Sequence, residues 1–208
     1  MNTINKSMDD IEKIFRGRNN LLTMFKTRGY IIEDNLWIHS KEDLKKLYYS
    51  KKLDIEIRNK GKQPIVIKWI LNNKVKPNLI KETIENIKSD YMEEDMSARS
   101  VLILKTKPNT NILKIIKEKE FKGHEIIWLN NIVFNITQHF LVPKHTKMNE
   151  DEIKKLMIDL YITNKFNLPV MYRDDPMARY LDLTSGDVCK IIRHSPTSGE
   201  YISYRVVK

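Results

Sequence analysis

The C-terminal stretch DDPMARYLDLTSGDVCKIIRHSPTSGEYISYRVVK, residues 174–208, carries the clearest folding pattern in the chain. Pro176 follows an aspartate and predicts the first turn of a short helix, a position that suits proline. β-branched and aromatic residues then predict strands over residues 188–194 and 201–207. Gly199 lies between them and can adopt the positive φ of a tight turn. The stretch therefore predicts a short helix followed by a β-hairpin.

Another helix is predicted upstream of this stretch. Asn149 followed by Glu152 matches the capping box that starts a helix. The apolar residues that follow recur at helical spacing and predict one buried stripe, made of Ile153, Leu156, Met157 and Leu160. We place a domain boundary just before His139, so that residues 139–208 form a small α+β domain ending in the hairpin.

Residues 1–138 show a different pattern. A first helix is predicted to start at Asp9 or Asp10 and to end at Gly29, and a second to start at Ser40. Pro77 predicts the start of a third helix. Short apolar runs predict strands that alternate with single helices, at residues 55–57, 65–71, 101–104 and 126–129. This alternation indicates an α/β domain with βαβ units, and α+β architecture for the chain as a whole.

Composition sets the class of protein. The chain has 208 residues, of which 41% are hydrophobic and 31% charged, typical of a globular protein that buries a core. No apolar run reaches the roughly 18 residues of a membrane span, and the N-terminus lacks a secretory pattern. Its single cysteine, Cys189, excludes an internal disulfide and indicates a reducing compartment. We expect Cys189 to be a small buried residue of a strand.

Positive charge is concentrated in the first part of the chain. The net charge is +10, and residues 1–140 hold 26 Lys and Arg against 18 Asp and Glu. The stretch 41–88 holds 13 against 6, which alone contributes +7. A lysine-rich solvated surface and a basic face near nucleic acid both fit these numbers.

A nuclease-like metal site is the enzymatic alternative for such a basic α/β domain. It would need an acid on one strand and an acid-x-Lys pattern on the next. Asp54 and Lys68 fit two of these positions, but Val66 stands where the second acid is needed, and Glu56 shares the strand of Asp54. The five histidines are scattered, without the spacing of a metal-binding pair on a helix. We therefore expect no catalytic residue, no metal and no cofactor.

The segment from Lys105 to Thr110 joins a predicted strand to a predicted helix. A helix N-terminus offers backbone N–H groups and a partial positive charge to a phosphate oxygen. Lys105 and Lys107 add full charges beside Pro108, Asn109 and Thr110. Two interpretations remain open here, an ordinary capped loop and a phosphate-binding loop.

The C-terminal motifs occur in a characteristic order. They are H-x-L-V-P-K-H at 139–145, L-P at 168–169, D-P-x-A-R-Y at 175–180 and S-G-x-Y-x-x-Y-R at 198–205. Together they resemble the assembly domain of the fifth subunit shared by eukaryotic nuclear RNA polymerases, which has a counterpart in the archaeal polymerase. NNLLTMFKTRGYII, residues 19–32, resembles the first helix of that family and its Arg-Gly-Tyr ending. The middle of the chain agrees in pattern more than in residues.

Several positions depart from the family pattern. Met177 replaces a smaller β-branched residue, Asp182 a frequent glycine, Pro196 a usual glutamate, and Glu200 a common basic residue. Lys107 replaces the threonine that usually precedes the proline of the strand-to-helix loop. These departures and the Lys-, Ile- and Asn-rich composition indicate a divergent source, either a protist or a large DNA virus.

The resemblance implies a non-catalytic subunit of a multisubunit DNA-directed RNA polymerase. It implies a nuclease-like N-terminal jaw domain near downstream duplex DNA, with residues 105–110 at the contact, and a C-terminal domain anchored to the largest subunit. The residues expected at that subunit interface are His139, Pro143, His145, Asp175, Pro176, Arg179, Tyr180, Arg193, Tyr201, Tyr204 and Arg205. The expected location is the nucleus, or the virion and host cytoplasm for a viral source. The alternatives are a nuclease-like or free-standing DNA-binding protein and an adaptor unrelated to transcription.

Overall fold

A computed structural model describes residues 9–91, 98–121, 123–195 and 199–208. The chain divides into two compact units, Met1–Phe134 and Asn135–Lys208. The boundary expected from the sequence lies slightly further along, before His139. None of the helices in the described ranges has the length and apolar character that crossing a membrane requires.

Unit 1 alternates helices and strands along the chain. Its helices are α1 (Asp10–Thr27), α2 (Lys41–Tyr49), α3 (Pro77–Asp90) and α4 (Thr110–Lys117). Its strands are β1 (Ile55–Ile57), β2 (Ile65–Ile70), β3 (Arg99–Leu104) and β4 (Glu125–Trp128). They form one sheet in the order β1-β2-β3-β4, in which β1 runs antiparallel to β2 while β2, β3 and β4 are parallel. The predicted βαβ units are therefore confirmed.

The sheet of unit 1 is covered on both faces. Every residue of β3 from Ser100 to Leu104 is buried, the pattern of a parallel strand with helices on either side. Leu102 and Leu104 pack with apolar residues of α3 and α4 in one core cluster that also includes Phe121 and Ile126. On α1, Gly17 lies so close to Leu129 and Ile132 that an added Cβ would come within 2.9 Å of Leu129. The helices thus fix where the ends of the parallel strands emerge.

The predicted starts of α1, α2 and α3 and the predicted end of α1 are confirmed. Ser40 accepts a hydrogen bond from the backbone N–H of Asp43 at 3.1 Å, and Pro77 begins α3. Asp9 stands at the N-cap of α1, although its side chain makes no capping hydrogen bond. Gly29, with φ +84°, ends this helix in the left-handed region that favours glycine.

Unit 2 contains a second mixed sheet with two helices. The helices are α5 (Glu150–Asp159) and α6 (Pro176–Tyr180). The strands are β5 (Lys144–Lys147), β6 (Val170–Met171), β7 (Val188–Ser195) and β8 (Gly199–Val207), in the sheet order β5-β7-β8-β6. The predicted hairpin is confirmed, as is the positive φ of Gly199, +70°. Pro196 lies outside the described residues. Together the two units confirm an α+β architecture of helices and mixed sheets.

Helix α5 packs one side against the sheet of unit 2. Its capping box is present in both directions, between Asn149 and Glu152. Leu156 is buried with Met148, Leu168, Val188 and Val206, and Ile153 packs against this cluster. The prediction that Leu160 is buried was wrong, since 47% of it is exposed. The helix ends at Asp159, so the helical spacing no longer directs Leu160 towards the core.

Candidate nucleic-acid and subunit interfaces

The parallel strands of unit 1 all end at one edge of their sheet. The segments that follow β2, β3 and β4 are the loops 71–76 and 105–109 and the 3-10 turn 129–131, and we call these residues the carboxyl edge. In open α/β sheets this edge is where ligands bind. Its exposed residues are amides and lysines, namely Asn72, Asn73, Lys74, Lys76, Lys107, Asn109, Asn130 and Asn131. No Asp or Glu occurs in these loops.

Lys105 is held within the fold at this edge. Its ammonium forms an ion pair with the carboxylate of Asp10 at 2.8 Å. The hydrogen bond to Asp10 raises the pKa of Lys105. Its carbonyl accepts a hydrogen bond from the indole N–H of Trp128 at 3.2 Å. The predicted full charge of Lys105 is thus largely matched by an acid from the start of α1.

The rest of the predicted loop is arranged as a capped helix start. The side chain of Asn109 accepts a hydrogen bond from the backbone N–H of Ile112 at 2.9 Å, and Thr110 is the first residue of α4. Lys107 is exposed, and no ion pair joins it to a carboxylate in the described part of the chain. Pro108, between Lys107 and Asn109 in the chain, is half-buried. Lys107 therefore offers its charge to solvent more freely than Lys105.

The opposite edge of the same sheet, where β3 and β4 begin, holds charge in the interior. Glu125 accepts hydrogen bonds from Arg28 on both carboxylate oxygens, at 2.9 and 3.3 Å. Arg99 approaches the same carboxylate at 3.4 Å. Only 3% of the Arg28 side chain and 16% of the Glu125 side chain are exposed. The Arg-Gly-Tyr ending of α1 therefore has a structural role, joining that helix to the sheet.

A buried Ser–His contact lies at this opposite edge as well. Nδ1 of His124 accepts the backbone N–H of Ser100 at 3.1 Å and lies 2.7 Å from its hydroxyl. Nδ1 accepts, so the proton of the neutral ring is on Nε2. Burial lowers the pKa of His124 to about 4, with added repulsion from Lys88 and Arg99. Ser100 itself is completely buried, which makes this contact part of the core.

The carboxylates weighed for a nuclease-like site have partners inside the fold. Asp54 accepts the backbone N–H of Trp69 at 3.0 Å. Glu56 is hydrogen-bonded by the phenol of Tyr91 and paired with Arg58, and it lies opposite Val66 across the sheet. Within the described ranges no group of three His, Cys, Asp or Glu side chains could hold a metal ion.

In unit 2, the D-P-x-A-R-Y motif builds helix α6. Asp175 caps it by accepting the N–H groups of Met177 and Ala178, at 2.8 and 3.4 Å. Pro176 is its first residue, as expected. Tyr180 is buried, and Arg179 is exposed. The motif thus builds the helix and places Arg179 at its surface.

The terminal hairpin divides its predicted interface residues between core and surface. Arg205 donates to the carbonyl of Val170 at 3.1 Å, and Tyr204 packs against the apolar cluster under α5. Towards the turn, Arg193 stands opposite Tyr201, and both are exposed, Tyr201 by 59%. The accessible part of the hairpin is therefore its outer end.

The residues of the H-x-L-V-P-K-H motif form the entry to β5. His139 is exposed and its ring stacks on Phe140, with 5.3 Å between ring centroids. Nδ1 of His145 lies 2.7 Å from the carbonyl of Pro143. Among the described residues, no side-chain hydrogen bond of either histidine reaches the hairpin end.

Exposed apolar residues are a feature of unit 2 that the sequence did not predict. Ile202 at the hairpin end is 40% exposed. Others lie elsewhere on this unit, namely Phe140, Leu141, Ile158, Leu160, Tyr161, Phe166 and Tyr172. Tyr161 is 96% exposed and holds a φ of +53°, a conformation rare for a bulky residue. No local pattern marks such residues, since helical and strand spacing give the same apolar signal for a core and for a docking surface.

Comparison with known proteins gives a consistent result. Residues 134–207 match the family model for the RNA polymerase Rpb5 C-terminal domain. The chain is 29% identical to subunit rpabc1 of DNA-directed RNA polymerases I, II and III from Dictyostelium discoideum, covering 96% of this chain and 99% of the relative. It is also 29% identical to DNA-directed RNA polymerase subunit 5-like protein 1 from Arabidopsis thaliana, covering 95% and 96%. It is 25% identical to DNA-directed RNA polymerase V subunit 5A of Arabidopsis thaliana, covering 98% of this chain and 92% of the relative. The resemblance inferred from the motifs is thereby confirmed.

Proposed function

We propose that this Rpb5-like chain is a non-catalytic subunit of a multisubunit DNA-directed RNA polymerase. The observation that carries the proposal is the match of residues 134–207 to the Rpb5 C-terminal domain within a similarity that spans nearly the whole chain. The Dictyostelium relative is named as a subunit of RNA polymerases I, II and III, and this similarity supports a nuclear location. A viral origin has no support from these relatives.

Unit 1 would lie beside downstream duplex DNA, with the carboxyl edge as the contact. Lysines and asparagines from the segments that follow three consecutive parallel strands, without an acid among them, suit the phosphate oxygens of a backbone. Side-chain amides donate hydrogen bonds to phosphate, and each lysine that neutralises a phosphate releases a counterion. The proposal thus extends the predicted contact at residues 105–110 to Lys74 and Lys76.

Lys107→Ala tests this contact in the assembled polymerase. Loss of one phosphate contact should flatten the plot of log affinity against log salt by about 0.9. Lys155→Ala is the matched control, because Lys155 is an exposed lysine of unit 2. Salt titrations of the complex with a labelled downstream duplex measure the slope. A slope equal to wild type for Lys107→Ala would contradict the proposed contact.

Unit 2 would anchor the subunit, with the largest polymerase subunit as the partner. Interfaces are enriched in tyrosine and arginine, and exposed apolar groups gain most when a partner removes them from water. The outer end of the hairpin offers Arg193 and Tyr201 on one face and Ile202 on the other, so that a partner enclosing this end would cover all three. Tyr204 and Arg205 would support this surface from inside the unit.

A double variant at the hairpin end separates docking from folding. Tyr201→Ala with Ile202→Ala should weaken association about tenfold or more, with folding stability changed by about 0.5 kcal/mol or less. Tyr172→Ala is the control, since Tyr172 is 75% exposed on the same unit. Competition with the wild-type subunit during assembly measures association, and amide exchange of β7 and β8 measures stability. An equal loss with Tyr172→Ala would move the docking surface away from the hairpin.

Copurification from the native source tests the proposal as a whole. We expect the large polymerase subunits in stoichiometric amount with this chain. The rival interpretations, a nuclease-like or free-standing DNA-binding protein, require a free chain instead. Recovery of the chain only as a monomer would overturn the proposal.

A further inference from the structure

The end of helix α2 carries an exposed aromatic ring followed by lysines. Tyr49 is 77% exposed, and its ring meets that of Tyr48 edge to face, with 5.5 Å between centroids. Lys51 and Lys52 follow, both exposed, and no ion pair joins either of them to a described carboxylate. No Asp or Glu occurs between Leu44 and Leu53.

The backbone holds these side chains in a fixed arrangement. The N–H of Lys52 donates to the carbonyl of Leu47 at 2.9 Å, and that of Lys51 to the carbonyl of Tyr48 at 3.2 Å. This is the Schellman arrangement, whose left-handed position is usually glycine. Lys51 occupies it with a φ of +57°.

This surface adjoins the carboxyl edge. Tyr48 lies within electrostatic range of Lys105, and the ammonium of Lys105 is itself paired with Asp10. The two surfaces nevertheless differ in chemistry. The carboxyl edge exposes lysines and amides, whereas the end of α2 adds an exposed ring to lysines. A ring face suits a nucleobase, and lysines suit the phosphates on either side of it.

We propose that the end of α2 binds single-stranded nucleic acid, with Tyr49 stacking on an unpaired base and Lys51 and Lys52 on the neighbouring phosphates. The proposal rests on the proposed function, in which unit 1 already lies beside nucleic acid. Duplex DNA covers the faces of its bases, so that a stacking ring finds a partner only on an unpaired strand. The carboxyl edge and the end of α2 would then receive paired and unpaired segments respectively.

Fluorescence anisotropy of the full chain with a labelled oligo(dT) single strand and with a duplex of equal length tests the proposal. Tyr49→Ala should weaken single-strand binding by roughly 5- to 150-fold, the loss typical of one stacked base. Tyr49→Phe keeps the ring and should remain within about twofold of wild type. Duplex binding should change by less than about twofold in both variants. The double variant Lys51→Gln, Lys52→Gln should lower the salt slope for the single strand by about 1.4.

Tyr161→Ala is the matched control, since Tyr161 is a still more exposed tyrosine on unit 2. Unchanged single-strand affinity in Tyr49→Ala would overturn the proposal, as would an equal loss in Tyr161→Ala or an equal loss on duplex. Thermal melts verify that the variants fold. Failure of this proposal can be distinguished from failure of the proposed function. Copurification with the polymerase and the salt slope of Lys107→Ala on duplex DNA do not involve Tyr49.

Discussion

The two edges of the sheet in unit 1 differ in whether their charged side chains are paired within the fold or exposed to solvent. Where β3 and β4 begin, Arg28, Glu125 and Arg99 are held together below the surface, and His124 is kept neutral. Where the same strands end, lysines and amides stand in solvent, and Lys105 is tied to an acid. One edge therefore satisfies its charges internally, and the other leaves cations available to an external anion.

This difference separates residues that maintain the fold from residues that can bind. A buried charge with its partner removed destabilises a protein strongly, whereas an exposed lysine contributes little to stability. Substitutions at the first edge should therefore change stability without changing nucleic-acid affinity. Substitutions at the carboxyl edge should do the reverse.

The largest effect is expected from Glu125→Ala. Removing this carboxylate takes the shared partner from Arg28 and Arg99, and breaking such a buried pair costs about 3–5 kcal/mol. Urea unfolding followed by tryptophan fluorescence measures this loss of stability, since Trp37, Trp69 and Trp128 all lie in unit 1. The salt slope of DNA binding should stay as in wild type, measured at a temperature where the variant is folded.

Glu118→Ala provides the control for that substitution. Glu118 pairs with Lys81 at 3.2 Å, and both side chains are 40% exposed or more. An exposed pair of this kind contributes about 0–1 kcal/mol. If Glu118→Ala and Glu125→Ala lowered the free energy of unfolding by similar amounts, burial of the charge would not explain the difference between the two edges.

A smaller loss of folding stability is expected when the pH is lowered, and it arises at the same edge of the sheet. The pKa of His124 is lowered to about 4 by burial first and by Lys88 and Arg99 next, from an unfolded value near 6.5. The unfolded chain binds the proton more tightly, so the stability due to neutral His124 is complete above about pH 6.5 and is lost as the pH falls towards 4. The loss should reach at most about 3 kcal/mol.

His124→Gln isolates this contribution. Glutamine can accept the N–H of Ser100 but does not titrate. The folding stability of the variant should therefore fall less than that of wild type between pH 6.5 and 4. Tryptophan fluorescence again reports on unit 1. Parallel pH profiles for the two proteins would mean that protonation of His124 leaves the edge unchanged.

Local sequence signals predicted the helix starts and the hairpin because caps and turns are set by neighbouring residues. Ser40, Pro77 and Asn149 each begin a helix as expected. The short strands β5 and β6 were missed. Lys144–Lys147 has no apolar alternation, and Val170–Met171 is too short for any pattern; both exist through pairing with the hairpin strands.

The same limit applies to the candidate sites. The loop at Lys105 was predicted as a strand-to-helix junction, but its ion pair with Asp10 joins segments far apart in sequence and has no local signal. Likewise the Arg-Gly-Tyr motif is visible in the sequence, while the role of Arg28 depends on Glu125, much later in the chain. Sequence patterns identify which residues could matter, and tertiary contacts decide which of them remain free to bind.

The smallest effect, and the most direct test of the contrast, is expected from Asp10→Asn. This substitution frees Lys105 at the carboxyl edge and costs about 1 kcal/mol or less, because the pair is partly exposed. If the edge faces phosphate, the released cation should steepen the salt dependence of duplex binding by about 0.9 and raise affinity at low salt. Asp151→Asn is the matched control, since it frees Lys154 on unit 2. A steeper slope in both variants would reflect net charge alone, whereas a change confined to Asp10→Asn places Lys105 beside the DNA.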